Sequence, residues 1–202
     1  MSGGPRRADV RDLPDKSWLL RRVGPARAAW RDAPRPARIA PAGPGEESVW
    51  DYPRPPELRP APARVRIVHG GETIADTQRA WRMCETASAP VYLLPPADVR
   101  MQRLRENGHV TVCEWKGAAL HYDLLGPWPA VRDAAFSYPD PLDDLGRGYG
   151  RIAGWIAFYP ARVDACFVGD ERVTPQPGGY YAGWVTSAIK GPIKGAPGTG
   201  GW

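Results

Sequence analysis

Apolar and polar residues alternate through Arg64-Val65-Arg66-Ile67-Val68, which predicts a strand. Gly70-Gly71 supplies a two-residue turn, and residues 72–77 return as the hairpin partner. Residues 82–86 and 91–94 read as two more short strands, the second stopped by Pro95-Pro96. Residues 97–105 predict one or two helical turns, with Asp98 near the start where an acid suits a helix N-terminus. Residues 109–122 form the longest strand-like stretch, and Gly117 permits a bend or hairpin inside it. Residues 134–141 are a further short segment, and the Asp- and Gly-rich stretch 142–151 reads as loop or broken helix. Residues 152–159 predict a strand that Pro160 ends, and 165–174 a second hairpin around Gly169-Asp170. Residues 50–62, rich in proline, read as an extended connector with aromatic anchors. Many short strands and little helix predict a mainly β protein: a compact barrel or folded sheet of short antiparallel strands, not a βαβ fold.

Composition sharpens this picture. The 202 residues include 24 Pro and 23 Gly, which excludes a long-helix bundle. The longest apolar runs, such as 155–159, fall far short of the roughly 20 residues of a membrane-spanning helix. The first residues lack a signal-peptide core, so the expected location is the cytoplasm, with no membrane partner. Three cysteines, Cys84, Cys113 and Cys166, are too few and too scattered for a disulfide scaffold. The Gly/Pro-rich extension 175–202 carries Tyr180, Tyr181, Trp184 and Trp202, so it is expected to pack on the body.

Charge divides the chain. The formal net charge of +5 comes from residues 1–45, which hold ten Arg/Lys against four Asp, while the remainder is close to neutral. The expected organisation is an Arg/Pro-rich arm over 1–43, flexible or loosely docked through Trp18-Leu19-Leu20 and Trp30, and a folded domain over 44–202. Such an arm could contact nucleic acid or another polyanion. No aromatic stacking platform accompanies the arginines, which argues against nucleic acid as a partner.

The chemistry concentrates in residues 109–117. On a continuous strand Val110, Val112, Glu114 and Lys116 share one face, and Thr111, Cys113 and Trp115 the other. If the valines face the interior, Glu114 and Lys116 project there too, or into a cavity, where they could pair. Cys113 is a candidate nucleophile if Lys116 or His109 lowers its pKa, or else a small buried residue. Glu114 is a candidate general acid or base, and Lys116 an anion- or carbonyl-binding cation or simply the salt-bridge partner of Glu114. Tyr138 and Tyr159, each followed by proline, could present hydroxyls to a ligand or pack at a rim. Arg100 and Trp115 are placed near the rim. No metal site or cofactor is expected: there is no Cys-x-x-Cys or His-x-x-x-His pair, and His69, His109 and His121 are isolated in sequence. No Gly-x-Ser-x-Gly elbow, Walker A or dinucleotide fingerprint is present.

An ordered set of motifs carries a family resemblance. These are 47–56 (Glu-Ser-Val-Trp-Asp-Tyr-Pro-Arg-Pro-Pro), Gly70 to Thr77, Pro95 to Val99, Cys113 to Gly117, Ser137 to Pro141, Ile156 to Pro160 and Pro175 to Trp184. Together they resemble the bacterial and fungal family called domain of unknown function 427, over roughly residues 44–202. The resemblance implies a compact fold of the Mss4-like or β-tent kind, related in shape to methionine sulfoxide reductase B, with a minimal module at about 64–160. The family is sometimes labelled a nucleotidyltransferase domain, but no Gly-Ser followed by spaced metal-binding acids is found. The two Cys-x-x-Cys pairs through which β-tent relatives hold zinc are also missing, so zinc does not carry over.

Three function classes follow. The first is a small-molecule-binding protein or enzyme with a pocket around residues 113–117, favouring an anionic or carbonyl-bearing ligand. The second is a non-catalytic interaction module, whose aromatic surface would serve a protein partner or a homo-oligomer. The third is polyanion contact through the arm.

Overall fold

The structure, a computed structural model, describes residues 13–30 and 33–202, so the first part of the arginine-rich arm lies outside the described residues. Helix α1 (Lys16–Ala29) starts at Asp15, whose carboxylate accepts hydrogen bonds from the backbone N–H groups of Ser17 and Trp18. Its Leu19 and Val23 are buried in a small cluster with Ala118 and Leu142 of the body, while Trp18 stays largely exposed. None of the described helices is long and apolar enough to cross a membrane.

The strands follow in chain order: β1 (Glu47–Ser48), β2 (Glu57–Pro60), β3 (Val65–His69), β4 (Glu72–Thr77), β5 (Trp81–Cys84), β6 (Val91–Leu93), β7 (Leu104–Cys113), β8 (Gly117–Leu124), β9 (Val131–Ser137), β10 (Ile156–Phe158), β11 (Ala165–Val168), β12 (Glu171–Arg172), β13 (Thr174–Pro175), β14 (Trp184–Val185) and β15 (Ile189–Lys190). The main sheet is antiparallel, ordered β10-β9-β8-β7. A second four-stranded sheet runs β12-β11-β3-β4, and a third, of three strands, runs β2-β5-β6. The hairpins predicted at 64–77 and 165–174 both form, over 65–77 and, shorter than expected, over 165–172. At Gly70 the reason is double: its φ is +57°, and a Cβ there would sit 2.1 Å from the Trp128 ring.

The mainly β expectation holds, but the sheets do not close into a barrel. Pro95-Pro96 ends the strand after Leu94, so the third sheet meets the main sheet through a single bridge, the paired backbone bonds of Leu94 and Ile156, each 2.9 Å. Proline supplies no further N–H to extend the ladder. Two local readings also change. The proline-rich connector ends in β2, an edge strand, where Pro60 costs no inner ladder bond. The predicted strand 152–159 shortens to β10, because Tyr149–Ile152 is a 3₁₀ turn.

The main sheet is covered on both faces, and every residue of β8 is buried. One face packs Leu120, Tyr122 and Phe158 against Val65, Ile67 and Ile74 of the second sheet, with Trp184 of the C-terminal extension in the same core. The other packs Ala119, Phe136 and Tyr138 against Met83 and Leu93 of the third sheet. This second layer contains the cavity described next.

Candidate functional site

The ladder of β7 and β8 pairs Cys113 with Gly117, so Glu114, Trp115 and Lys116 are a tight connection and not strand. Gly117 has φ +84°, and a Cβ on it would meet the Leu142 side chain at 2.9 Å. The strand alternation expected through residue 116 therefore stops at Cys113. Val112 is 43% exposed while Lys116 is 8% exposed, so the predicted common face of Val110, Val112, Glu114 and Lys116 does not exist. The face that turns inward carries Thr111 and Cys113, continued across the sheet by Phe136 and Tyr138.

These side chains line a cavity of about 310 Å³. Of the residues singled out in the sequence, Cys113, Glu114, Lys116, Tyr138 and Tyr159 all line it. Arg100 and Trp115 do not. Arg100 pairs with Glu72 at 3.3 Å, because its backbone N–H is tied to Ile74 beside the second sheet. The Trp115 side chain is buried in the core beside the cavity, with the Arg27 guanidinium over its ring.

Other lining residues are not legible in the sequence as part of a site, among them Glu85 and Lys194, and Trp30 and Tyr181, which are expected there only to dock or pack. Trp30, directly after α1, donates its indole N–H to the Glu114 carboxylate at 2.7 Å. Arg27 donates to the Glu114 backbone carbonyl at 2.6 Å and pairs with Asp144, so the end of α1 fixes the turn. Glu85 follows β5 and collects three cations: Arg54 at 3.5 Å, Lys116 at 3.9 Å and Lys194 at 4.0 Å. Lys194 comes from the C-terminal extension, is 4% exposed and lies over the Trp30 and Tyr181 rings. The only sequence signal for it was the aromatic content of that extension. No spacing rule connects positions 30, 85 and 194.

Burial dominates the acid–base properties. It pushes the Cys113 thiol up, even though Lys116 pulls the other way. It pushes the Tyr138 phenol well up, again against Lys116. Burial opposes the charge on Lys116, but Cys113, Tyr138 and Glu85 around it outweigh burial and hold its ammonium well above the ordinary value. Lys194 is shifted the other way, lowered by burial despite Glu85. Among the lining residues Lys116 and Lys194 balance Glu85 and Glu114, and Arg54, which does not line the cavity, adds a third cation beside Glu85. Beyond Thr111 and Tyr159 lie His109, His121 and Asp133, a group that could together hold a metal ion.

Residues 57–169 match the model of the family described as Domain of unknown function (DUF427). That span includes Glu85, the 113–116 turn, Tyr138 and Tyr159, and leaves out Trp30, Tyr181 and Lys194. A search of curated proteins gives no match.

Proposed function

The chain belongs to the DUF427 family, and from that premise we propose that it is a small-molecule-binding protein whose cavity takes an anionic or carbonyl-bearing ligand. One observation carries this reading. Two nearly buried ammonium groups, on Lys116 and Lys194, share the single carboxylate of Glu85 at 3.9 and 4.0 Å, beyond direct hydrogen-bond distance. Each keeps N–H donors for a further acceptor, and a desolvated ammonium gains most from an anion. The walls suit a compact, flat ligand: Trp30, Phe136, Tyr138 and Tyr159 supply aromatic surface, and the volume is at the small end of ligand sites.

The roles proposed for Cys113 and Glu114 follow from this. Glu114, oriented by the Trp30 indole, is the acceptor that selects a ligand with its own donor group. Cys113 contributes a neutral thiol to the wall, since burial holds it protonated at neutral pH. Binding, not thiolate catalysis, is the reading the site favours.

The test uses benzoate and inorganic phosphate as probes, followed by ligand-observed NMR. A charge-assisted hydrogen bond is worth about 1.5–3 kcal/mol, so Lys116→Met and Lys194→Met should each weaken benzoate binding roughly 10- to 150-fold. Variants that melt like the parent chain yet bind benzoate equally well would overturn the reading. So would a parent chain that binds neither probe.

A further inference from the structure

The three strands β7, β8 and β9 each bring one potential metal ligand to the same place on the main sheet. The register of β7 against β8 slips between Glu106 and Val110, and this irregularity presents His109. His121 of β8 lies opposite that slip and pairs regularly with Phe136 of β9. The β8–β9 register slips between Tyr122 and Leu124, and Asp133 in the slipped stretch has φ +50°. Bulges of this kind re-aim side chains, and here both re-aim a ligand toward His121.

His121 is 3% exposed. Its Nε2 lies 2.9 Å from the Thr111 hydroxyl. Its Nδ1 is buried and has no hydrogen-bond partner among the described residues, 3.9 Å from Asp133 Oδ1. His109 Nδ1 lies 3.1 Å from the same oxygen, and the two imidazoles stack with centroids 4.4 Å apart. The ligand atoms of the three residues lie within 4.8 Å of one another. A buried imidazole nitrogen without a partner is costly, and a cation accounts for it. With the Thr111 hydroxyl accepting from Nε2–H, the Nδ1 lone pair is free to ligate.

We propose that His109, His121 and Asp133 bind a divalent transition-metal ion of the zinc class, with two imidazole nitrogens and one carboxylate oxygen as ligands. This donor set suits such an ion and leaves a coordination position for water or a ligand. The supports that metal sites use are in place. Asn107 donates to Asp133 Oδ1 at 2.8 Å and to Asp123 at 2.6 Å, and so orients the ligating carboxylate. The opposing charge is Arg162, whose Nη1 is 4.0 Å from Asp133 Oδ2, but its hydrogen bond goes to the Asp133 backbone carbonyl at 2.6 Å. Asp123, on the far side of Asn107, is itself paired with Arg105 at 3.2 Å. Loading displaces the shared proton between His109 and Asp133 and puts the ion in its place. Thr111 bonds His121, the Tyr159 ring lies near-parallel to it with centroids 6.3 Å apart, and both residues line the cavity. The metal site stands whether or not the cavity takes an anion.

The test uses the full chain, stripped with a chelator, and titrates Zn²⁺ by calorimetry and Co²⁺ by absorption. We expect one ion per chain and Co²⁺ d–d bands without the charge-transfer band of a thiolate ligand. His109→Ala removes an exposed ligand, and Asp133→Asn keeps a residue that tolerates positive φ, so both should fold. Each should weaken Zn²⁺ binding by about 100-fold or more, and Asn107→Ala by about 10- to 100-fold. Absence of stoichiometric Zn²⁺ uptake by the parent chain would overturn the site, as would unchanged affinity in His109→Ala or a thiolate band with Co²⁺.

Discussion

Cys113 has a cation for a neighbour, yet its thiol is shifted the wrong way for a nucleophile, because removal from water disfavours the thiolate more than Lys116 favours it. Peptide-resolved alkylation of the native chain should therefore find Cys113 slow, like Cys84, whose thiol burial pushes up to about 12, and Cys166, which is also raised. Fast, selective labelling of Cys113 would restore the nucleophile. Glu47 shows the opposite balance. Burial raises its pKa, but Arg82, the Tyr52 hydroxyl and Arg59 outweigh burial and hold it below its ordinary value. The unfolded chain therefore binds the extra proton first, and this part of the stability is lost as pH falls through the ordinary carboxylate range and below. Glu47→Gln should lower the melting temperature at neutral pH and flatten its acid limb. An unchanged acid limb would show that Glu47 does not contribute to it.

At the scale of elements, two pieces outside the main sheets complete the cavity, and both can be loosened. Helix α1 is held by Leu19, which is 2% exposed. Leu19→Ala should cost about 2–5 kcal/mol of packing at that contact and expose α1 to trypsin at Arg21, Arg22 and Arg27, sites that resist cleavage in the docked helix. Equal cleavage rates in parent and variant would mean the helix is not held there. The C-terminal extension is tied by Gln176, which is 2% exposed, accepts from the Ala89 N–H at 3.0 Å and donates to the Lys194 carbonyl at 3.0 Å. Gln176→Ala leaves two buried backbone groups without partners, at about 1–3 kcal/mol each, and should shift chemical denaturation to a lower midpoint.

At the scale of the whole molecule, the cavity is a product of remote segments. A chain cut to residues 57–169 keeps Glu85, Cys113, Lys116, Tyr138 and Tyr159 but loses Trp30, Tyr181 and Lys194. It also loses Trp184, which is fully buried in the main core and donates its indole N–H to the Phe158 carbonyl at 3.2 Å. Such a piece should expose apolar surface and bind a hydrophobic dye that the full chain excludes. A truncated chain with the full chain's melting behaviour would show that the extension is not part of the core.

Much of this was legible in the residues themselves. Local pattern determined the hairpins at Gly70-Gly71 and Gly169-Asp170, the stops at Pro95-Pro96 and Pro160, and the mainly β class. Those features depend on neighbours within a few positions, where backbone geometry and alternation act directly. The structure alone decided the rest: that alternation ends at Cys113, that Arg100 faces Glu72, that Glu85 gathers Lys116 and Lys194, and that His109, His121 and Asp133 converge. Each of these depends on a register, a bulge or a docked segment brought close by burial of distant apolar surface, and no local spacing encodes such a contact.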